Sequence, residues 1–202
     1  PLAALVRNGA DPALVQADAK KVAVSFELGA RELFASVDVR KMERVVLNIV
    51  GNAVKFTPPL GTVTVRLAPV LSGAPAAALL TVDDTGPGVS AEDLPKLTRR
   101  YFHVGEQVSG SGLGLSISRE IVELHGGVIS FASPVPGTGK GTRVEVRLPL
   151  SPAPLVLAAC EDSDFAAALA HDVSVGGYGF KAISSLADAP AACRTLGPAA
   201  LV

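Results

Sequence analysis

Apolar residues recur along this chain with two different periods, and the switches between them divide it into elements. Val22, Val24 and Phe26 alternate with small or polar neighbours, the period-2 pattern of a strand with one buried face. A second short strand is expected over Leu33 to Val37. From Val39 to Phe56 the period lengthens to that of a helix, with Met42, Val45, Val46, Ile49, Val50 and Ala53 on one stripe and Thr57-Pro58 as the stop. Alternation returns at Val63, Val65 and Leu67, and an apolar run from Ala78 to Val82 ends at Asp83-Asp84. Both predict strands, joined by the loop from Pro69 to Pro75. Ser90 and Asp93 have capping-box spacing for a short helix, while Thr98 to Gly112 lacks any period and reads as a loop. Leu113, Ile117, Ile121 and Leu124 mark another helix, closed by His125 and Gly126. Val128 to Phe131 and Thr142 to Leu148 then form a hairpin. Ahead of these elements, Leu2, Leu5, Val6, Leu14 and Val15 have loosely helical spacing, which Asn8-Gly9 and Asp11-Pro12 should break into a short helix or two.

Antiparallel-looking strands with helices on one side predict an α+β fold, a two-layer α/β sandwich over residues 1–150 in which residues 1–20 are a lead-in. Ser151-Pro152-Ala153-Pro154 reads as a stiff linker. Beyond it, strand is expected at Leu155 to Ala159, helix at Ser163 to Ala170, strand at Phe180 to Ile183, helix at Leu186 to Leu196 and a third strand from Ala199 to Val202. That alternation describes the first part of a parallel α/β domain over residues 155–202.

Composition removes several classes of function. With 49% hydrophobic residues in 202, the chain can bury a substantial core, and length favours one domain plus part of another. Eighteen basic residues balance nineteen acidic ones, and no Lys/Arg cluster is interleaved with aromatics, so nucleic acid is not an expected partner. The longest uncharged stretch, from Leu67 up to Asp83, is interrupted by Pro69, Gly73 and Pro75, so no membrane contact by this segment is expected. Cys160 and Cys193 have no metal-ligand spacing and suit a reducing cytoplasm. A start at Pro1 and an end inside an apolar run suggest a piece of a longer protein.

Three stretches carry candidate chemistry. Arg44, Asn48, Asn52 and Lys55 form a stripe beside the apolar face of the Val39 to Phe56 helix. Asn carbonyl oxygens suit Mg²⁺, and Lys55 could neutralise phosphate oxygens, although a solvated helix face would look the same. Asp84-Thr85-Gly86-Pro87-Gly88 follows a strand; a carboxylate there can accept the exocyclic amine of adenine, and Gly86 and Gly88 let backbone approach a planar ligand. An ordinary turn is the plainer alternative. Gly110-Ser111-Gly112-Leu113-Gly114-Leu115 runs into a helix whose leading N–H groups form an anion site, where a triphosphate could sit. Gly137 to Thr142 does not make a P-loop, because Pro134 stands at the first required glycine and Gly141 follows Lys140. Thr142 instead starts a strand that would border a nucleotide.

In their order and spacing these stretches resemble the sensor histidine kinases. Asn48 to Thr57 is similar to that family's N box, Asp84 to Gly88 to its first glycine box, Tyr101-Phe102 to its phenylalanine box and Gly110 to Leu115 to its second glycine box. His125-Gly126-Gly127 through Thr142 to Leu148-Pro149-Leu150 resembles its C-terminal signature. The likeness covers about residues 20–150 and implies the Bergerat ATP-binding fold, shared with DNA gyrase, MutL and a class of heat-shock chaperones. It implies ATP and Mg²⁺ as ligands, Asn52 on the metal, Asn48 and Lys55 as the catalytic pair near the phosphates, and Asp84 on the adenine amine. Thr98 to Gly110 would be the ATP lid, anchored by Phe102, with Gly112 and Gly114 admitting the phosphates.

None of His103, His125 and His171 stands in the helical His-Glu context that the family phosphorylates. The resemblance therefore implies a histidine-bearing dimerisation domain elsewhere, upstream or on a dimer mate, and a response regulator as downstream partner. The tail resembles the start of a flavodoxin-like receiver domain, as in a hybrid kinase, with Glu161, Asp162 and Asp164 near its acidic site and the acceptor aspartate expected past Val202. Two alternatives stand beside this: a nonenzymatic ATP-binding regulatory module with a degenerate receiver, and a gyrase-type ATPase in which a glutamate activates water. For the latter, Glu43 lies off the Asn48/Asn52 face.

Overall fold

Asp38 opens the most amphipathic helix of the chain: its carboxylate accepts the Lys41 N–H at 3.0 Å, and Val39–Phe56 then runs for 18 residues. In the computed structural model this helix is α2, and the structure describes residues 1–70, 76–102, 112–159, 162–175, 178–188, 190–191 and 200–201. Two units divide them, one of residues 1–30 with 35–150 and the other of residues 31–34 with 151–202.

The first unit contains α1 (Leu2–Lys20), β1 (Ala23–Glu27), α2, β2 (Thr62–Val70), β3 (Ala77–Asp84), α3 (Gly114–Leu124), β4 (Val128–Ala132) and β5 (Arg143–Pro149). Its sheet has the order β1-β2-β3-β5-β4. The strands from β2 onward pair antiparallel, as expected, but β1 pairs parallel with β2 because α2 crosses over between them and returns the chain to the same end. Buried Val63, Val65 and Leu67 alternate with less buried Thr64 and Arg66, so one face of the sheet lies under the helices. α2 packs on β2 and β3, α3 on α2 and β4, and α1 on α2 and β1. Val82, Leu80 and Val146 continue this apolar layer through the cross-strand pairs Val65↔Val82, Leu67↔Leu80 and Leu80↔Val146.

Three local expectations fail for tertiary reasons. Residues 2–20 form one continuous helix, with Pro12 inside it. Asn8, whose carbonyl loses its helical partner at Pro12, is exposed, as is Pro12 itself, so water can serve that carbonyl. Gly9 does not break the helix; it is the contact point with α2, where a Cβ would come within 2.9 Å of both the Glu43 carbonyl oxygen and the Val46 Cβ. Leu33 to Val37 is not a strand. Leu33 and Phe34 are buried without ladder pairing, and the Phe34 ring meets Tyr178 edge-on at 5.3 Å within the second unit. β2 also runs on through Pro69 and Val70. β1 pairs only as far as Arg66, so Pro69 lies past the stretch where its missing N–H would be needed. The Ser90–Asp93 capping contacts do form, at 2.8 and 3.1 Å, but they open only the three-residue 3₁₀ turn Leu94–Lys96.

In the second unit, β6 (Leu155–Ala159) lies between β7 (Gly179–Ile183) and β8 (Ala200–Leu201), all parallel. α4 (Ser163–Val175) is capped by Asp162, whose Oδ1 accepts the N–H groups of Asp164 and Phe165 at 2.8 and 3.1 Å. Leu186–Asp188 is a 3₁₀ turn, and most of the helix expected there lies outside the described residues.

The Gly9 contact makes a sign prediction. A helical Gly→Ala change ordinarily stabilises by about 1 kcal/mol. Gly51→Ala, on α2 with nothing within 4 Å of the added Cβ, should follow that rule, while Gly9→Ala should lose about 1 kcal/mol or more by forcing α1 off α2. Urea unfolding of the two variants reads the difference directly.

Candidate functional site

Successive residues of a strand point to opposite faces, and at the end of β3 this sends the adjacent carboxylates of Asp83 and Asp84 apart. Asp83 pairs across the open face with Arg143 (2.6 and 2.7 Å) and Arg66 (2.6 Å). Asp84, opposite Val63 in register, turns to the helix side and is only 8% exposed. Its Oδ1 accepts the N–H groups of Gly86 at 2.8 Å and Thr142 at 3.2 Å; among the described residues no donor reaches Oδ2. Gly141, at φ 79°, brings its loop onto the Asp84 carbonyl so closely that any Cβ would collide with that oxygen.

Asp84 lines a cavity of about 400 Å³ between α2, β5 and the start of α3. From α2 come Asn48, Asn52 and Lys55, the stripe set beside the buried face. From the glycine turn come Gly112, Gly114 and Leu115, and of the other expected residues Gly88, Phe102 and Thr142 line it too. Gly112 adopts φ 65°, with its carbonyl accepting the Tyr101 N–H at 3.0 Å, and α3 begins two residues later, its N-cap Leu113 having no side-chain cap bond of its own. Leading N–H groups of such a helix start attract anions.

Asn48 bridges the two helices. Its Nδ2 donates to the Gly114 carbonyl at 3.3 Å and to Ser118 Oγ at 3.2 Å, while the Asn52 side chain makes no hydrogen bond among the described residues. The Lys55 ammonium sits 5.3 Å from the centre of the Phe56 ring at the exposed rim. Ile49, Ala53, Val89, Leu97, Phe131 and Val144 supply apolar walls. Sequence reading missed these because, apart from Ile49 and Ala53 on the helix stripe, nothing sets them apart from ordinary strand or loop residues.

Other expected residues fall elsewhere. Gly86 does not line the cavity; it packs on the Phe56 backbone and donates to Asp84. Leu113 is the residue before α3 and is also off the wall. Gly110, Ser111, His103, Cys160, Glu161 and Cys193 lie outside the described residues, as does most of the expected lid. His125 is held structurally, with Nε2 accepting the Asp38 N–H at 3.0 Å and Nδ1 2.7 Å from the Ile121 carbonyl. Glu43 is beside α1 rather than on the cavity, which leaves the water-activating glutamate without a place. Among the described residues no cluster of three His, Cys, Asp or Glu side chains forms a metal site.

Residues 37–152 match the family described as histidine kinase-, DNA gyrase B-, and HSP90-like ATPase. The chain belongs to that family. Its first unit has the α+β ATP-binding catalytic fold of histidine kinases. Histidine protein kinase DivJ of Caulobacter vibrioides is 42% identical over 147 residues, covering 71% of this chain and 24% of DivJ. Sensor histidine kinase TmoS of Ectopseudomonas mendocina is 41% identical over 139 residues, 67% of this chain and 14% of TmoS. The chain thus spans a quarter or less of these relatives. Among solved structures, a chain of the mycobacterial sensor histidine kinase MprB superimposes with TM-score 0.66 at 26% identity, over 74% of this chain and 95% of that solved chain. Full-length ShkA, solved in complex with AMPPNP, shares the fold at TM-score 0.63 and 24% identity over 95% of this chain and 41% of ShkA.

Electrostatics of the ATPase domain centre on Asp84. Burial pushes its carboxyl above the ordinary range of 3.8, against the opposing pull of the Gly86 and Thr142 N–H groups, and neighbouring Asp83 adds to the rise. A carboxyl raised in the folded state contributes stability that is fully present below its unfolded value and lost as pH climbs through the folded value. Asp84→Asn keeps an oxygen for the two N–H groups and removes the titration. The stability of the wild type relative to this variant should therefore fall as pH rises above 3.8, as measured by urea midpoints across that range. A difference independent of pH would contradict the burial argument.

Proposed function

We propose that this chain is the ATP-binding catalytic part of a sensor histidine kinase, presenting the γ-phosphoryl group of ATP to a histidine on a separate helical dimerisation domain. The observation that carries the reading is the convergence of Asn48, Asn52, Asp84 and the Gly112–Leu115 turn on one cavity. Asp84 accepts the exocyclic adenine N–H on Oδ2, the oxygen its backbone partners leave open, and Ile49, Ala53, Phe131 and Val144 take the faces of the purine. The start of α3 receives the phosphates, with Gly112 and Gly114 allowing backbone approach and Lys55 adding positive charge at the rim. Gly110 and Ser111 are read as part of the same phosphate-binding motif, and Phe102, on the cavity wall, would anchor the lid.

The donor set fits Mg²⁺. The amide oxygens of Asn52 and Asn48 are hard, neutral ligands without a donor among the described residues, and an ion that keeps water and phosphate oxygens does not require a carboxylate cluster. When bound, the ion would neutralise charge between the β- and γ-phosphates. In the transfer, an imidazole nitrogen of the acceptor bonds to the γ-phosphorus while the bond to the β,γ-bridging oxygen breaks and its electron pair leaves on ADP. The imidazole proton passes to solvent. The chain's own contribution is alignment and charge stabilisation.

The second unit is read as the start of a receiver, which would make the parent a hybrid kinase acting on a response regulator in the cytoplasm. Its strands run parallel in the order second-first-third, the order with which flavodoxin-like sheets begin, and this supports the assignment. No helix among the described residues is long and apolar enough to cross a membrane.

Calorimetric titration tests the nucleotide assignment. Wild type should bind Mg-ATP, and Asp84→Asn should bind it roughly 10- to 100-fold more weakly, since a donor replaces the acceptor of a charge-assisted bond. Equal affinities would remove Asp84 from the adenine. Adding a relative's helical histidine domain with radioactive ATP should label the histidine; tight nucleotide binding with no label would point to a nonenzymatic module.

A further inference from the structure

Both amide hydrogens of Asn48 are committed to α3. A backbone carbonyl only accepts, so the contact with Gly114 at 3.3 Å fixes Nδ2 on the α3 side of the amide, and Ser118 Oγ takes the second hydrogen at 3.2 Å. Oδ1 takes no hydrogen from the described residues and is the amide atom left for a ligand; it stands 3.6 Å from where a Cβ on cavity-lining Gly114 would lie. Turning the amide over would set Oδ1 against the Gly114 carbonyl and leave the cavity facing two donors instead of an acceptor.

Ser118 is the unusual member of this arrangement. It is 0% exposed on the packed face of α3, beside Ile121 and Val122. Helical serines commonly satisfy their hydroxyl on a carbonyl of the preceding turn, as Ser116 does on Leu113 at 2.9 Å. Ser118 reaches instead to the neighbouring helix, and Asn48 is its side-chain partner among the described residues. Burying a hydroxyl in an apolar helix interface is unfavourable without a partner. Here the partner is a side chain of the cavity.

We infer that Ser118 is a positioning residue that acts through Asn48: it locks the amide with Oδ1 toward the cavity, so that a neutral acceptor is presented to the cation and phosphate end of the ligand and not to the base. This rests on the assignment of Asn48 to that end of Mg-ATP. Without the Ser118 contact the amide keeps only the Gly114 anchor, which still disfavours a flipped amide but leaves χ2 free to rock about that one bond, so Oδ1 is held less firmly without any change in the apolar walls.

The test is a double-mutant cycle on the 202-residue chain, with affinities measured for ATP in excess MgCl₂ and for adenosine. Ser118→Ala should weaken Mg-ATP binding about five-fold, the scale of one hydrogen bond, and leave adenosine affinity unchanged. In the Asn48→Ala background the same substitution should have no further effect on Mg-ATP. Ser116→Ala, which removes only a local back-bond on the same helix, should leave the Mg-ATP to adenosine ratio at the wild-type value. Ser118→Cys, of similar size with a weaker acceptor, should fall between wild type and Ser118→Ala. If Ser118→Ala weakens both ligands equally, or weakens Mg-ATP as much with Asn48 absent as with it present, Ser118 is a packing residue and the inference fails. If Asn48→Ala itself binds Mg-ATP like the wild type, the assignment of Asn48 fails and the inference with it, an outcome distinct from a silent Ser118→Ala beside a weakened Asn48→Ala.

Discussion

The cleft depends on one buried carboxylate. Asp84 ends β3 on the helix side of the sheet, and burying its charge would cost several kcal/mol were it not for the N–H groups of Gly86 and Thr142 at Oδ1. Those two donors come from opposite sides, one from the turn after β3 and one from the approach to β5. A single side chain thus gathers both loops at the mouth of the cavity and still keeps an oxygen open to it. The register of the sheet makes this possible. With Val63 opposite Asp84, the preceding Asp83 faces out to Arg66 and Arg143; a slip of one residue would turn Asp84 to the outer face and part it from the Thr142 N–H.

The wall facing that carboxylate is held at two points. α2 and α3 run antiparallel: Asn48 is tied to Gly114 and Ser118 at the start of α3, and the Asp38 N–H is tied to His125 at its end. The anchor points are ten residues apart on α2, about 15 Å of helix. Two separated hydrogen-bonded ties and an apolar seam between them resist rotation of α3 about its axis far better than one contact could. The start of α3 and the Asn stripe of α2 therefore keep a fixed relation, as an anion and cation site shared between two elements requires.

Elements with a local cause were readable in the chain. α2 carries its cap, its stripe and its stop within twenty residues, and β2, β3 and β5 carry strict alternation or a bounded apolar run. The clustering of Asn48, Asn52, Asp84 and Gly112 was legible too, because each motif has its own chemistry and their order limits the folds that can join them. Features with a distant cause were not readable. Pro12 looks like a helix breaker until Asn8 is seen facing water, and Gly9 looks like one until α2 is seen against it. Leu33 and Phe34 look like strand until their burial is seen to come without a pairing partner.

Apart from Leu33 to Val37 and the unbroken first helix, periodicity, turn residues and side-chain chemistry along the chain were enough to indicate which segments of the first unit are helix or strand, which face each would bury, and which polar residues could meet a nucleotide. These depend on contacts within a few residues. The tertiary structure alone decided that β1 is a parallel edge, that Phe131, Val89 and Leu97 are cavity walls, that Gly86 serves Asp84 rather than the cavity, and that the Asn48 amide nitrogen is tied to α3. Apart from the local Gly86–Asp84 bond, each of these is set by a partner tens of residues away in sequence, and hydrogen-bond direction and strand register have no local signature.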